Sequence, residues 1–165
     1  MNRGGGKFSA EWVNAFRSHA ASEDMGALFF DVDSDGDLDL YVASGSYEFS
    51  VNDPLLGDRL YLNTNGKGNF EPLAASGPVC GADFDRDGDV DLFVGGRVVP
   101  GAYPTSPRSV LLRNVSAGGV PKFEVVSGID KIGMITSAVW TDIDADGWID
   151  LAVATEWGPV QIFKN

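Results

Sequence analysis

Three times the chain gathers four or five aspartates around one glycine within nine residues. The first stretch carries Asp31, Asp33, Asp35, Gly36, Asp37 and Asp39, and the second Asp83, Asp85, Asp87, Gly88, Asp89 and Asp91. The third carries Asp142, Asp144, Asp146, Gly147, Trp148 and Asp150. Positions 1, 3, 5 and 9 are Asp in every copy, and position 6 is Gly. Carboxylates crowded into one short turn repel one another unless a cation neutralises them. Hard oxygen ligands at alternate positions, with a glycine for the sharp bend, suit Ca²⁺. Position 7 varies (Asp37, Asp89, Trp148), as befits a ligand supplied by the backbone carbonyl. The expectation is three Ca²⁺ per chain, each held by the Asp at positions 1, 3, 5 and 9 and the carbonyl at position 7.

An EF-hand would place a bidentate Glu at position 12 and helices on both sides. Position 12 is Val42, Val94 and Val153 instead. Positions 8, 10 and 12 are apolar in each copy (Leu38, Leu40, Val42; Val90, Leu92, Val94; Ile149, Leu151, Val153). That period of two marks a half-buried strand, so each loop joins two strands. A single Asp-Gly turn would read as a plain hairpin; three aligned sets of carboxylates require more.

The motifs recur after 52 and 59 residues, the mark of a repeat architecture. Aligned on the loops, each unit shows one strand entering the loop (27–30, 79–82, 138–141) and one leaving it. A third strand ends in Asn in every unit (Arg59–Asn63, Val110–Asn114, Gln161–Asn165), and a fourth opens on Phe (Phe70–Leu73, Phe123–Val126). The third unit lacks a fourth strand in the sequence, while Asn2 to Phe8 resembles Asn65 to Phe70. The expected fold is all-β: a single domain with units at 26–73, 79–126 and 137–165, the third completed by a strand at 7–12. Residues 10–25 read as a helical turn or irregular connector, with His19 at the surface.

Composition narrows the function classes. The net charge is −12, and three Ca²⁺ would cancel half of it, so the acidity reports metal sites more than an acidic partner surface. No basic stripe exists to meet nucleic-acid phosphates. One cysteine, Cys80, excludes a disulfide framework and reads as a small core residue. No run is long enough to insert in a membrane, and Met1 to Gly4 lacks the apolar stretch of a signal peptide. An extracellular or cell-surface location remains the expectation, with the chain as a piece of a longer protein. One His, one Cys and no Gly-x-Ser-x-Gly elbow offer no nucleophile–base pair. Asn114-Val115-Ser116 matches a glycosylation sequon, but Asn114 closes a repeat strand, which favours a structural role.

Nearly the whole chain, apart from 10–25 and two inserts, resembles the FG-GAP/VCBS repeat family, the calcium-binding blades of integrin-alpha-like β-propellers. The three Asp-rich loops, the strands Asp39–Val42 and Asp91–Val94, and the phrase from Asn65 to Phe70 carry the resemblance. It implies four-stranded blades with calcium between strands one and two on one face. It also implies a ligand face opposite, presenting Tyr47, Phe49, Arg97, Tyr103, Arg108 and Trp157 from the inserts 44–57 and 97–108 and the short connection 155–159. The expected function is a non-enzymatic, calcium-stabilised binding or adhesion module for an extracellular protein or glycan. The alternatives are part of a secreted polysaccharide-active enzyme and a purely structural repeat fragment. Three blades span too little arc for a ring, because propellers use four to eight. Two chains exchanging the strand around Phe8 would close a six-bladed homodimer.

Overall fold

A computed structural model describes residues 5–7, 14–45, 48–50, 53–63, 70–75, 79–126, 129 and 131–165. They form an all-β structure of three antiparallel sheets. The first sheet holds β1 (Asp24–Phe30), β2 (Asp39–Ser44), β3 (Asp58–Asn63) and β4 (Phe70–Ala75). The second holds β5 (Val79–Ala82), β6 (Asp91–Val94), β7 (Val110–Asn114) and β8 (Phe123–Val126). The third holds β9 (Ile135–Thr141), β10 (Asp150–Thr155) and β11 (Gln161–Phe163). Every strand pairs with its neighbour in sequence, so each sheet is a meander. Among the described residues, helix is confined to one turn, α1 (Asn14–Arg17), and a 3₁₀ turn at Pro54–Leu56 capped by the Asp53 side chain.

The strand pattern read from the sequence holds, with shifted ends. β1 and β9 begin three residues earlier than expected, at Asp24 and Ile135. There Gly26, Thr136 and Ser137 interrupt the apolar alternation, and the ladder continues past them through a register shift in each strand. β11 stops at Phe163, the last residue it pairs with β10; β3 and β7 run on to their Asn because a fourth strand pairs with them there. The expected strand at 7–12 lies outside the described residues except for Lys7, which is in no strand.

The core follows from period-2 geometry. Successive side chains of a strand point to opposite faces, so the middle sheet serves two neighbours. Leu92 and Val94 of β6 pack with Phe30, Val32, Tyr41, Ala43 and Leu60 of the first sheet and its loop. Phe93, between them, points the other way and packs with Phe84, Leu111, Ile135, Leu151 and Val153. Truncating a fully buried side chain such as Phe93 to Ala costs about 3–5 kcal/mol. Cys80 takes the place expected of it, packed against the second cluster.

The outward face of the first sheet is partly closed by α1: Leu40, Val42 and Tyr61 pack against Ala15 and Phe16. His19 is half-buried there rather than at the surface, with Nδ1 2.9 Å from the Tyr61 hydroxyl. Beneath lies a buried polar cluster. Asp58 accepts from the Tyr41 hydroxyl at 2.7 Å and from Ser44 N at 2.8 Å, and Arg59 pairs with Asp24. Burial, with the Asp58 carboxylate next to it, pushes the Tyr41 hydroxyl well above its usual pKa and keeps it a donor.

Candidate metal centres

Each Asp-rich stretch folds into the same loop. Position 4 takes a left-handed backbone although none of the three is glycine: Ser34 has φ 60°, Arg86 63° and Ala145 60°. Two residues on, Gly36, Gly88 and Gly147 have φ of 91°, 100° and 91°, a region side chains rarely enter. This double bend turns backbone N–H groups inward onto the carboxylates. Asp31 accepts from Asp35 N (3.1 Å) and Gly36 N (2.9 Å), and Asp83 accepts from Asp87 N and Gly88 N (both 3.1 Å). Asp142 accepts from Gly147 N at 2.9 Å. Position 5 closes the turn, since Asp35, Asp87 and Asp146 accept from the N–H of Asp37, Asp89 and Trp148.

Position 9 ties the loop to the sheet. Asp39 is buried and accepts from Val32 N and from Asn63 N, both at 2.8 Å. Asp91 bridges Phe84 N and Asn114 N, and Asp150 bridges Ile143 N and Asn165 N. The backbone N–H of the Asn at or just past the end of each third strand thus meets this carboxylate. Its side chain adds a second link. Asn114 Nδ2 donates to Val32 O at 3.1 Å and Asn165 Nδ2 to Phe84 O at 2.6 Å, in each case the loop of the preceding sheet. Asn114 is buried and accepts from Ser116 through its Oδ1, so its amide is a structural strut and not a glycan acceptor.

The loops also touch one another in a constant order. Ser34, at position 4 of the first, donates to Asp89, at position 7 of the second, at 2.8 Å. Arg86, at position 4 of the second, lies 3.9 Å over the ring of Trp148, at position 7 of the third.

Carboxylates converge in all three loops. Ligand atoms of Asp31, Asp33 and Asp39 lie within 4.8 Å of one another, as do those of Asp83, Asp85 and Asp91. In the third loop the convergent set is Asp142, Asp144 and Asp146, all exposed. Position 3 is decisive in the first two. Asp33 Oδ1 and Asp85 Oδ1 are buried and have no hydrogen-bond partner, although each belongs to a carboxylate facing other carboxylates. A buried polar atom without a partner calls for an ion or a donor. Burial, then its Asp neighbours, raises the Asp33 pKa; burial likewise raises Asp39 and pushes Asp91 up to about 6. The third loop differs. Lys164 pairs with Asp144 and holds its carboxyl below the usual range. Arg113 pairs with Asp85 at 2.7 Å through Oδ2, leaving Oδ1 untouched.

At the other end of β6 and β10 a second cluster forms. Arg97 pairs with Glu156, whose second oxygen accepts from the Tyr103 hydroxyl at 3.1 Å. Tyr103 and Trp157 meet edge-on with ring centroids 5.3 Å apart. Three residues expected on a ligand face (Arg97, Tyr103, Trp157) thus come together. Phe49 lies on the other insert, and Tyr47 lies outside the described residues. Glu156, which organises the group, was missed from sequence; its only signal was its place beside Trp157 in the short β10–β11 connection. Lys164 and Arg113 were missed likewise, since nothing in their spacing places them beside Asp144 and Asp85. No protein-family model matches the chain, and no curated protein matches it.

Proposed function

We propose that the chain is a calcium-stabilised, non-enzymatic binding module made of propeller-type blades, working outside the cell. The observation that carries the calcium reading is the pair of buried, partnerless oxygens, Asp33 Oδ1 and Asp85 Oδ1. Each sits in an all-oxygen set suited to a hard cation, and positions 1, 3, 5 and 9 with the position-7 carbonyl would supply the ligands. Magnesium fits worse, since it demands a tight octahedral shell. The two candidate catalytic side chains outside the loops are committed elsewhere: burial pushes the Cys80 thiol up to about 12, and His19 is bonded to Tyr61. Calorimetric titration with Ca²⁺ should give three sites per chain. Absence of saturable binding, or equal affinity for Mg²⁺, would sink the calcium reading.

The sheets support a ring as the working assembly. Val139, Ile143 and Ile162 are exposed on the open face of the third sheet, at 55%, 42% and 52%. By repeat position they match Leu28, Val32 and Leu60 in the first sheet and Cys80, Phe84 and Leu111 in the second, all packed into the two clusters. The face is thus a core face by pattern. By the same pattern the matching surface is the outward side of the first sheet of a second copy in head-to-tail order; there α1 already buries Leu40, Val42 and Tyr61, so the copies would meet over α1 or displace it. Two chains would then give a six-bladed homodimer, with the strand around Phe8 pairing to the open edge of β11. Light scattering in calcium should read twice 17.5 kDa. A monomer at high concentration rejects the ring.

A further inference from the structure

The cluster at the far end of β6 and β10 has features the calcium reading does not use. Trp157 is 68% exposed and Tyr103 53%. Leaving large rings in water forgoes the gain of burying them. Yet both are held firmly in place, Tyr103 by its bond to Glu156 and Trp157 by its edge contact with Tyr103. Beside Trp157 opens a hollow of about 260 Å³, walled by Ser106, Thr155 and Gln161. Its floor is backbone. Gly133 has φ 122°, and a Cβ there would come 2.8 Å from Thr155 Cγ2; a Cβ on Gly158 would come 2.6 Å from Thr155 Oγ1. Both glycines thus leave room for the Thr155 side chain, which forms part of the wall. Gln161 is anchored through Nε2 to Ile132 O at 2.7 Å, and Ser106 Oγ accepts from Gly133 N at 3.1 Å.

Three properties define the ligand. An exposed indole with a second ring standing edge-on to it, at 73° between their planes, offers an apolar corner. Hydroxyl, amide and carboxylate groups stand at its edge; the Ser106 hydroxyl already donates to Pro107 O, and Glu156 already accepts from Arg97 and Tyr103, so what they offer a ligand is their remaining lone pairs and the second amide hydrogen of Gln161. The Arg97–Glu156 pair cancels its own charge, while the chain as a whole carries −12 and repels anions. The hollow falls just below the range of drug-sized pockets, so it admits one small ring. A pyranose matches all three: one face presents C–H groups, the rim presents hydroxyls, and the ring is uncharged. We infer that Trp157, Tyr103 and the adjoining hollow form a binding site for a neutral pyranoside unit of a glycan. This rests on the reading of the chain as a binding module and assigns the ligand class of that module.

The test uses the full chain in millimolar calcium. It is titrated with methyl glucoside, methyl galactoside, methyl mannoside, N-acetylglucosamine, glucuronate and short neutral oligosaccharides, followed by tryptophan fluorescence and saturation-transfer NMR. At least one neutral sugar should bind saturably. Trp157→Ala should weaken that binding by about tenfold or more, the loss of one stacking contact, while the melting temperature in calcium stays the same. Tyr103→Phe keeps the ring and frees Glu156, and should weaken binding by a smaller factor. No saturable sugar binding, with the calcium-induced rise in melting temperature intact, overturns this inference and leaves the module reading standing. Undiminished binding by Trp157→Ala overturns the site, and tighter binding of glucuronate overturns the neutral assignment. Loss of calcium stabilisation in the unaltered chain would strike the module reading itself.

Discussion

The first two Asp-rich loops and the third share a backbone and differ in their surroundings. In the first two, position 3 is sheltered and one carboxylate oxygen has no partner; in the third all three convergent carboxylates are exposed and Lys164 already pairs with Asp144. The difference is made by the neighbouring sheet. A sheet packs over the first and second loops, so Val32 and Phe84 at position 2 are buried, whereas Ile143 is exposed on the third. Loop chemistry is local, but the strength of a cation site depends on what excludes water from it. The three loops should therefore form two tight sites and one weak one.

Removing calcium is the harshest test of that difference. A site filled at one hundred times its dissociation constant contributes about 2.7 kcal/mol, so each tight site should raise the melting temperature by roughly 5–10 °C for a chain of this size. Equal midpoints in chelator and in millimolar calcium would remove the structural role from all three loops.

In chelator, pH should tell the same story from the other side. Asp91 is held at about 6 in the fold against an ordinary value of 3.8, so the folded state binds the proton more tightly than the unfolded chain does. Stability from that proton is present below about pH 4 and is lost as pH rises through about 6. Asp33 and Asp39 shift in the same direction. The chelated protein should melt higher near pH 4.5 than at pH 7, by the rule just stated, and calcium should abolish or reverse that order. A chelated protein that melts higher at pH 7 would show that the buried carboxylates already have partners.

The two asparagine struts give a smaller effect. Asn114→Ala removes a buried side chain bonded to Val32 O and Val90 O and should cost about 1–3 kcal/mol in a denaturant titration. Asn165 is exposed, and Asn165→Ala should cost about 0.5–1.5 kcal/mol. Equal losses would mean that shelter does not distinguish the two ends of the array.

Lys164→Ala sharpens the comparison without touching the first two sites. With the competing ammonium gone from Asp144, the weakest of the three calcium affinities should tighten several-fold while the other two hold. No change would show that Lys164 yields its place to a cation freely. Smallest of all, Trp148→Ala removes the contact with Arg86 and should cost about 0.5–1 kcal/mol.

Loops and strands were legible because both depend on spacing along the chain. Four aspartates, one glycine and alternating apolar residues lie within twelve positions, and each loop folds as that spacing requires. What joins one sheet to the next was not legible. Asn114 was visible as the end of a strand, yet its target, Val32 O, lies 82 residues away. The Tyr41–Asp58 bond, across 17 residues, and the Tyr103–Glu156 bond, across 53, also depend on how an insert folds back. β1 and β9 ran longer than their apolar pattern because ladder bonds tolerate Gly26 and Ser137, which side-chain alternation does not announce.

The asparagine struts run one way: the later sheet always donates, and the earlier loop always accepts. On a ribosome this direction matters. When the first sheet emerges it can form alone, since its meander pairs only neighbours in sequence, and its Val32 carbonyl then waits as a finished template. The second sheet docks as soon as Asn114 clears the exit tunnel and in turn presents Phe84 O to the third. This order of donors and acceptors favours assembly by vectorial accretion, in step with synthesis, as repeat arrays with nearest-neighbour interfaces allow. A circular permutation that made the third sheet first would reverse that order, offering a donor before its acceptor had been translated.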